Sequence, residues 1–446
     1  MKRLLIFIAL LSILISCKKT SYVAKFDKTP QERAADQISL VSTTLTSATN
    51  GWIATLPTRA GGGYAFYLTF DNEQNVTMYG DLNEASATTF AKSYYRVKQD
   101  IGTDLVFDSY SYLAMLNDPN SAVLGGQDKI GYQSDVDFTY DRITGDSIIF
   151  IGKKYRQPFK LVKATAAQKD SYLAGNLKTS MNKLTSFFAT NKNAYIEIAA
   201  GTKTGVSPDF TNGLANGKRI ELSTLLPDNS VSSSKGKIAT SIDGVTILNG
   251  GLIYQGIVFV KMAWKDATTL ALYDNKGKEY IINNNPVPLT DFKTVFKYNG
   301  AFNGIMITGR TLPPGVVSGW NTLWASQISS YDFNNATMES MQFRLINATT
   351  AKLEVWFVIG GSRYLADASY TYVINNDIIT LSNYIPSVSN TNWNNGWVVT
   401  AVKNYFINAS FKMDWVVSSD PTVSALGGLY KVGDATNFYY GRAIKN

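Results

Sequence analysis

Short runs of aromatic and β-branched residues, each closed by a turn signal, recur along most of this chain, and they leave little choice of fold class. Tyr64–Phe70 and Asn75–Tyr79 flank Asp71-Asn72-Glu73-Gln74, the pattern of a hairpin. Asp135–Tyr140 alternates strictly: Val136, Phe138 and Tyr140 share one face, and Asp135, Asp137 and Thr139 share the other. Runs at Ser147–Ile151, Phe159–Val162, Tyr195–Ala199, Ile257–Met262, Thr269–Tyr273 and Glu279–Ile282 continue the theme, and Asp274-Asn275-Lys276-Gly277 marks another hairpin. Aromatic residues make up 13% of the chain, with 26 Tyr, which suits a pleated surface. The expected class is α+β, mainly antiparallel β.

Helical periodicity interrupts the strands at two places. Thr29-Pro30-Gln31-Glu32 opens a helix with a capping box and a proline at the first helical position. Ala34, Ile38, Val41 and Leu45 supply its apolar stripe, and Asn50-Gly51 ends it. Thr165 and Gln168 cap a second helix over about 166–190, with Leu173, Leu177, Met181, Leu184 and Phe188 on one face. Residues 29–164 and 165–288 therefore read as two units, each a helix followed by a β-meander. Asn283-Asn284-Asn285-Pro286-Val287-Pro288 marks a boundary. Beyond it, 289–446 reads as nearly all β, including Trp397–Val402 and Tyr405–Trp415. That pattern predicts a closed, lipocalin-like barrel, with a sandwich as the alternative. Asp118-Pro119 before Leu124-Gly125-Gly126, and Asp420-Pro421 before Leu426-Gly427-Gly428, share one spacing and hint at duplication.

The N-terminus carries a different message. Met1-Lys2-Arg3 is basic, and Leu4–Ile15 is apolar apart from Ser12, too short to span a bilayer, which takes about 20 residues. Leu14-Ile15-Ser16-Cys17 resembles the bacterial lipobox, in which the thiol receives lipid. The expectation is a lipoprotein signal peptide at 1–16, a lipidated Cys17, a tether over 17–28, and anchoring to a membrane. Lys18-Lys19 follow the cysteine, and the periplasmic and surface sides both stay open.

Composition closes much of enzyme space. There is no histidine, which removes the commonest general base and the usual zinc ligand. Cys17 is the single cysteine, so no thiol is left for redox work or disulfides. A metal site would need oxygen ligands alone. The net charge of +8 is scattered, and no Lys/Arg run exceeds a pair, which argues against nucleic acid. Gly61-Gly62-Gly63 lacks the Lys-Ser/Thr of a phosphate loop. No catalytic residue and no cofactor is expected.

The remaining candidates for ligand binding are few. Trp320, Trp324, Trp393 and Trp397 are candidates for a sugar platform, with core packing as the alternative. Asp81 and Glu84, in Asp81-Leu82-Asn83-Glu84, offer oxygen donors in a turn. Asp135 and Asp137 on one strand face would stand roughly 7 Å apart, within glycosidase range, although any solvent face yields such pairs. Asp146-Ser147-Ile148 resembles a bacterial O-glycosylation acceptor.

Asp27-Lys28-Thr29-Pro30-Gln31-Glu32-Arg33, Asn50-Gly51-Trp52, Gly62–Leu68, Val76-Thr77-Met78-Tyr79, Phe107-Asp108-Ser109-Tyr110 and Asp118-Pro119 together resemble a Bacteroidota lipoprotein family known only as a domain of unknown function. The resemblance is fullest over 20–165. It implies an accessory of starch-utilisation-type outer-membrane importers and carries over no catalytic residue. The expected function is non-enzymatic capture of glycan or peptide beside such an importer. The alternatives are a structural partner in the envelope and a carboxylate-dependent glycan hydrolase.

Overall fold

The computed structural model describes residues 27–446 apart from 227, 229 and 390; Cys17, its signal segment and most of the tether lie outside the described residues. The chain packs as two compact units. One comprises the chain up to Ala60 with Ala65–Gly175, and the other Gly61–Tyr64 with Asn176–Asn446. The architecture is mainly antiparallel β with a helical minority. No described helix is long and apolar enough to cross a membrane.

The first unit is built on a closed eight-stranded barrel in simple meander order: β1 (Trp52–Pro57), β2 (Gly63–Phe70), β3 (Asn75–Gly80), β4 (Ala91–Gln99), β5 (Thr103–Phe107), β6 (Asp137–Thr144), β7 (Ser147–Gly152) and β8 (Pro158–Lys163). Antiparallel pairing of β1 with β8, Trp52 opposite Lys163, closes it and leaves no free edge. Sequence reading foresaw a meander here but not its closure, because closure is a long-range pairing that local pattern does not encode. Phe138 and Phe159 stack at 4.6 Å inside, with Phe107 edge-on to both. Each such ring contributes about 1.5–3 kcal/mol on burial.

The helix Pro30–Thr46 starts where its capping box requires. Glu32 N donates to Thr29 Oγ1 at 3.2 Å, and Thr29 N donates to Glu32 Oε2 at 2.7 Å. Val41 and Leu45 are its buried residues, and the Trp52 indole donates to Leu45 O at 2.9 Å, tying helix to barrel. The second capping box, Thr165 with Gln168, is also present. The helix it opens is not continuous over 166–190. It breaks into Ala166–Leu173 and Asn176–Thr190 at Gly175, whose φ of 77° leaves the helical region.

In the second unit, Asn176–Thr190 covers a ten-stranded antiparallel sheet running from β9 (Ala194–Ala199) to β18 (Asn283–Asn284). The strand β17 (Glu279–Ile281) lies at one end of the sheet and β18 at the other, yet Ile282 alone separates them in sequence. The sheet must therefore curl until its two edges nearly meet. Leu184 of the helix sits in the core of that curl with Ile196, Leu222, Phe259 and Met262.

The C-terminal part resolves the barrel-or-sandwich question as a barrel. Its strands are β19 (Gly304–Thr308), β20 (Ala336–Leu345), β21 (Thr350–Ile359), β22 (Ser362–Asn375), β23 (Ile378–Pro386), β24 (Ser410–Val416), β25 (Leu426–Lys431) and β26 (Asp434–Ile444), closed by β19 against β26. Helices appear at two places in a domain expected to be nearly all β. Trp320–Phe333 forms a helix between β19 and β20, and the expected strand 397–402 is the short helix Gly396–Val399 with a turn after it. The expected strand 405–415 begins as the helical turn Lys403–Phe406. The sequence echo does not mark equivalent places: Leu124 ends a short helix, whereas Leu426-Gly427-Gly428 begins β25.

Candidate functional site

The four tryptophans are brought together by the C-terminal barrel, but as core. Trp320 is fully buried, its ring 5.0 Å from Tyr405 and 5.1 Å from Tyr439. Trp324 is buried and donates to Arg310 O at 2.8 Å. Trp393 is buried and donates to Tyr384 Oη at 2.6 Å. Trp397 is half-buried, edge-on to Tyr331 at 5.2 Å and Phe357 at 5.5 Å. A sugar platform needs an open ring face, and three of these rings are covered on all sides.

Asp81 and Glu84 are separated in role. Asp81 is fully buried and accepts from Ala65 N at 2.9 Å, so it fastens the end of β3 to β2. Glu84 is exposed in the first turn of the helix Glu84–Thr88, where a negative charge suits the N-terminal dipole. Asp135 and Asp137 do not form an open pair. Asp135 precedes β6, is buried, and accepts from Lys154 N at 2.8 Å and Tyr155 N at 3.0 Å. A Cβ at Gly152 would overlap that carboxylate, so the glycine makes room for it. Among the described residues, no three acidic side chains gather as a metal site needs.

The largest concavity described lies in the second unit, with a volume of about 800 Å³. Three chain segments build its walls. The turn Asn191-Lys192-Asn193 leaves the helix Asn176–Thr190 and leads into β9. The Asn/Pro run supplies Asn284, Pro286 and Pro288. The loop from β24 to β25 supplies Ser418, Thr422 and Ser424. Phe302 and an edge of Trp415 add aromatic surface, and the Trp415 indole is fixed by donating to Thr290 O at 2.8 Å. Lys192 Nζ donates to Ser424 Oγ at 3.1 Å across the groove.

The groove holds one carboxylate, Asp420. The Thr422 hydroxyl and then its backbone N–H donate to it and hold its pKa below the ordinary carboxylate value. It therefore stays ionised and engaged in its own loop. The Arg442 side chain, exposed beside the groove, makes no hydrogen bond or ion pair among the described residues. The rest of the lining mixes neutral amides and hydroxyls with apolar side chains, Pro286, Pro288, Val417 and Val423 among them. Such a lining can hold a polar chain by hydrogen bonds, but it lacks the two opposed carboxyls of glycoside hydrolysis.

In the sequence the Asn/Pro run marks only a boundary and Asp420-Pro421 only an echo. The available signal was a dense cluster of amides and prolines between periodic segments, which places hydrogen-bonding groups on a surface loop.

A family model described as a domain of unknown function (DUF4302) matches residues 24–266. No curated protein matches the chain. Among solved structures, the crystal structure of the di-domain ARO/CYC StfQ from the steffimycin biosynthetic pathway is similar at 8% identity, covering 56% of this chain and 80% of that one, with a TM-score of 0.15. A likeness that weak carries no argument.

Proposed function

The chain belongs to the family described as a domain of unknown function (DUF4302), and we propose that it is a non-enzymatic binding lipoprotein that captures glycan or peptide beside an outer-membrane importer. The observation that carries this reading is the groove of about 800 Å³, in which amides and hydroxyls are set among prolines, small apolar side chains and two aromatic rings. Its volume falls within the roughly 300–1,000 Å³ of small-molecule sites. Neutral donors and acceptors with an aromatic edge suit sugars and peptide backbones alike. The single carboxylate, already engaged by Thr422, supports binding over hydrolysis. The lipobox at Cys17 supports the membrane attachment, since two or more acyl chains make anchoring stable.

Two measurements test this. The full-length chain in detergent, applied to glycan and peptide arrays, should bind without releasing product. Arg442→Ala should weaken capture by roughly tenfold, the loss of about one charged hydrogen bond. Cleavage of an arrayed ligand, or binding indifferent to Arg442, would overturn the groove assignment. For the anchor, Cys17→Ser should remove labelling by a palmitate analogue and shift the protein to the soluble fraction. Persistent labelling would refute it.

A further inference from the structure

A second cavity, in the first unit, holds about 360 Å³ beneath the segment that joins β5 to β6. Ser134 is among its lining residues, 1% exposed, and its Oγ has no hydrogen-bond partner among the described residues. A buried hydroxyl left unpaired is costly, and it is the kind of group a ligand satisfies. The frame around it is rigid. Asn117 Oδ1 accepts from Ser134 N at 2.8 Å, and Asp135 holds the 153–155 turn through two backbone N–H groups.

The charges decide what such a cavity would accept. Lys153 is committed, at 2.6 Å from Asp100 and 2.8 Å from Asp104. Asp135 is committed to backbone donors. Three charged side chains at the lining make no hydrogen bond among the described residues: Lys129, Lys154 and Asp137, the last of which also feels the charge of Arg96. Lys154 Nζ lies 4.9 Å from the Tyr155 ring centre, and Tyr155 also lines the cavity. A neutral sugar would gain nothing from the two ammonium groups, which are exposed and solvated. A bare phosphate or sulfate would face Asp137. A ring bearing a carboxylate beside hydroxyls answers all three: its carboxylate meets Lys129 and Lys154, and its hydroxyls donate to Asp137. Tyr155 offers the ring face that sugars stack on.

The geometry points to a binding site for one carboxylated sugar residue, a uronic acid, between Ser134, Lys129, Lys154, Asp137 and Tyr155. The volume suits a single ring, near the lower limit for small-molecule sites. The site is separate from the groove and does not depend on it.

The test is calorimetric titration of the full-length chain in detergent with D-galacturonic acid, D-galactose and L-alanine. Galacturonate should bind, galactose about tenfold more weakly or worse, and alanine not at all. Ser134→Ala should weaken galacturonate binding several-fold while leaving the thermal midpoint unchanged or raised, because no hydrogen bond within the protein is lost. A purely structural Ser134 would not move the binding. The double variant Lys129→Gln, Lys154→Gln should erase the preference for galacturonate over galactose. Arg442→Ala, in the groove, should leave it intact. Equal binding of galactose, binding of alanine, no binding of galacturonate, or an inert Ser134→Ala would each overturn the assignment.

Discussion

Trp320→Ala is expected to destabilise the second unit by about 3–5 kcal/mol, the range for emptying a fully packed aromatic site. The reason is geometric. Trp320 begins the helix Trp320–Phe333 and stands inside the C-terminal barrel with Tyr405, Phe406 and Tyr439 rings at 5.0–5.8 Å. Those neighbours belong to β26 and to a short helix anchored before β24, so the wall cannot collapse onto the gap. Its indole N–H has no partner described here, so Trp320→Phe loses no hydrogen bond and should cost well under half as much. Denaturant unfolding reads both, with the midpoint falling and the slope constant. A surface platform would respond differently: Trp320→Ala would then stay within about 0.5 kcal/mol and reduce ligand binding instead. That outcome would refute the core placement.

The same helix explains what the sequence withheld. Its buried residues are Trp320, Trp324, Gln327 and Tyr331, spaced four, three and four apart. The period was present. It was masked because the third position is a glutamine and the flanking residues favour strands, so no helix is expected there in a domain that reads as nearly all β. Trp397–Val402 misled for the converse reason: its apolar run suits a strand, but its carbonyls are taken by side chains of the buried helix rather than by a neighbouring strand. Elements with local chemistry were legible. Both capping boxes formed as read. The 274–277 hairpin turns on Asp274 accepting from Lys276 N and Lys278 N, with Gly277 at φ 83°.

Site residues were less legible than elements, and the cause is burial. Asp81, Asp135 and the tryptophans were noticed for their side-chain chemistry, which is the same whether a group faces solvent or fastens backbone. Asp135 illustrates this: strand alternation put it beside Asp137, whereas the chain enters β6 only at Asp137 and turns Asp135 onto the 153–155 backbone. Conversely, Ser134 and Asn193 attract no attention as sequence. Their places come from segments far apart in the chain, and that juxtaposition has no local signature.

Gln327 supplies the sharper test, because it holds the helix inside the barrel by hydrogen bonds alone. It is fully buried; Nε2 donates to Trp397 O at 2.8 Å and Val398 O at 3.0 Å, and Oε1 accepts from Ala401 N at 3.1 Å. Gln327→Leu should cost about 1–3 kcal/mol, chiefly through the orphaned Ala401 N–H, since Ser330 and Tyr331 still donate to the two carbonyls. Gln327→Glu should cost more near neutral pH, about 3–5 kcal/mol, because an ionised carboxylate there faces two carbonyl oxygens without a cation. Burial and those carbonyls favour the protonated acid, so its folded pKa is raised above the unfolded value of about 4.3. A raised folded pKa gives stability that is fully present below the unfolded pKa and is lost as pH rises through the folded one. Gln327→Glu should therefore approach the parent's stability near pH 4 and fall away towards pH 7, while Gln327→Leu keeps a constant deficit relative to the parent. Parallel pH–stability curves for the two variants would show that the position is wet, and that the helix is not locked in the barrel in this way.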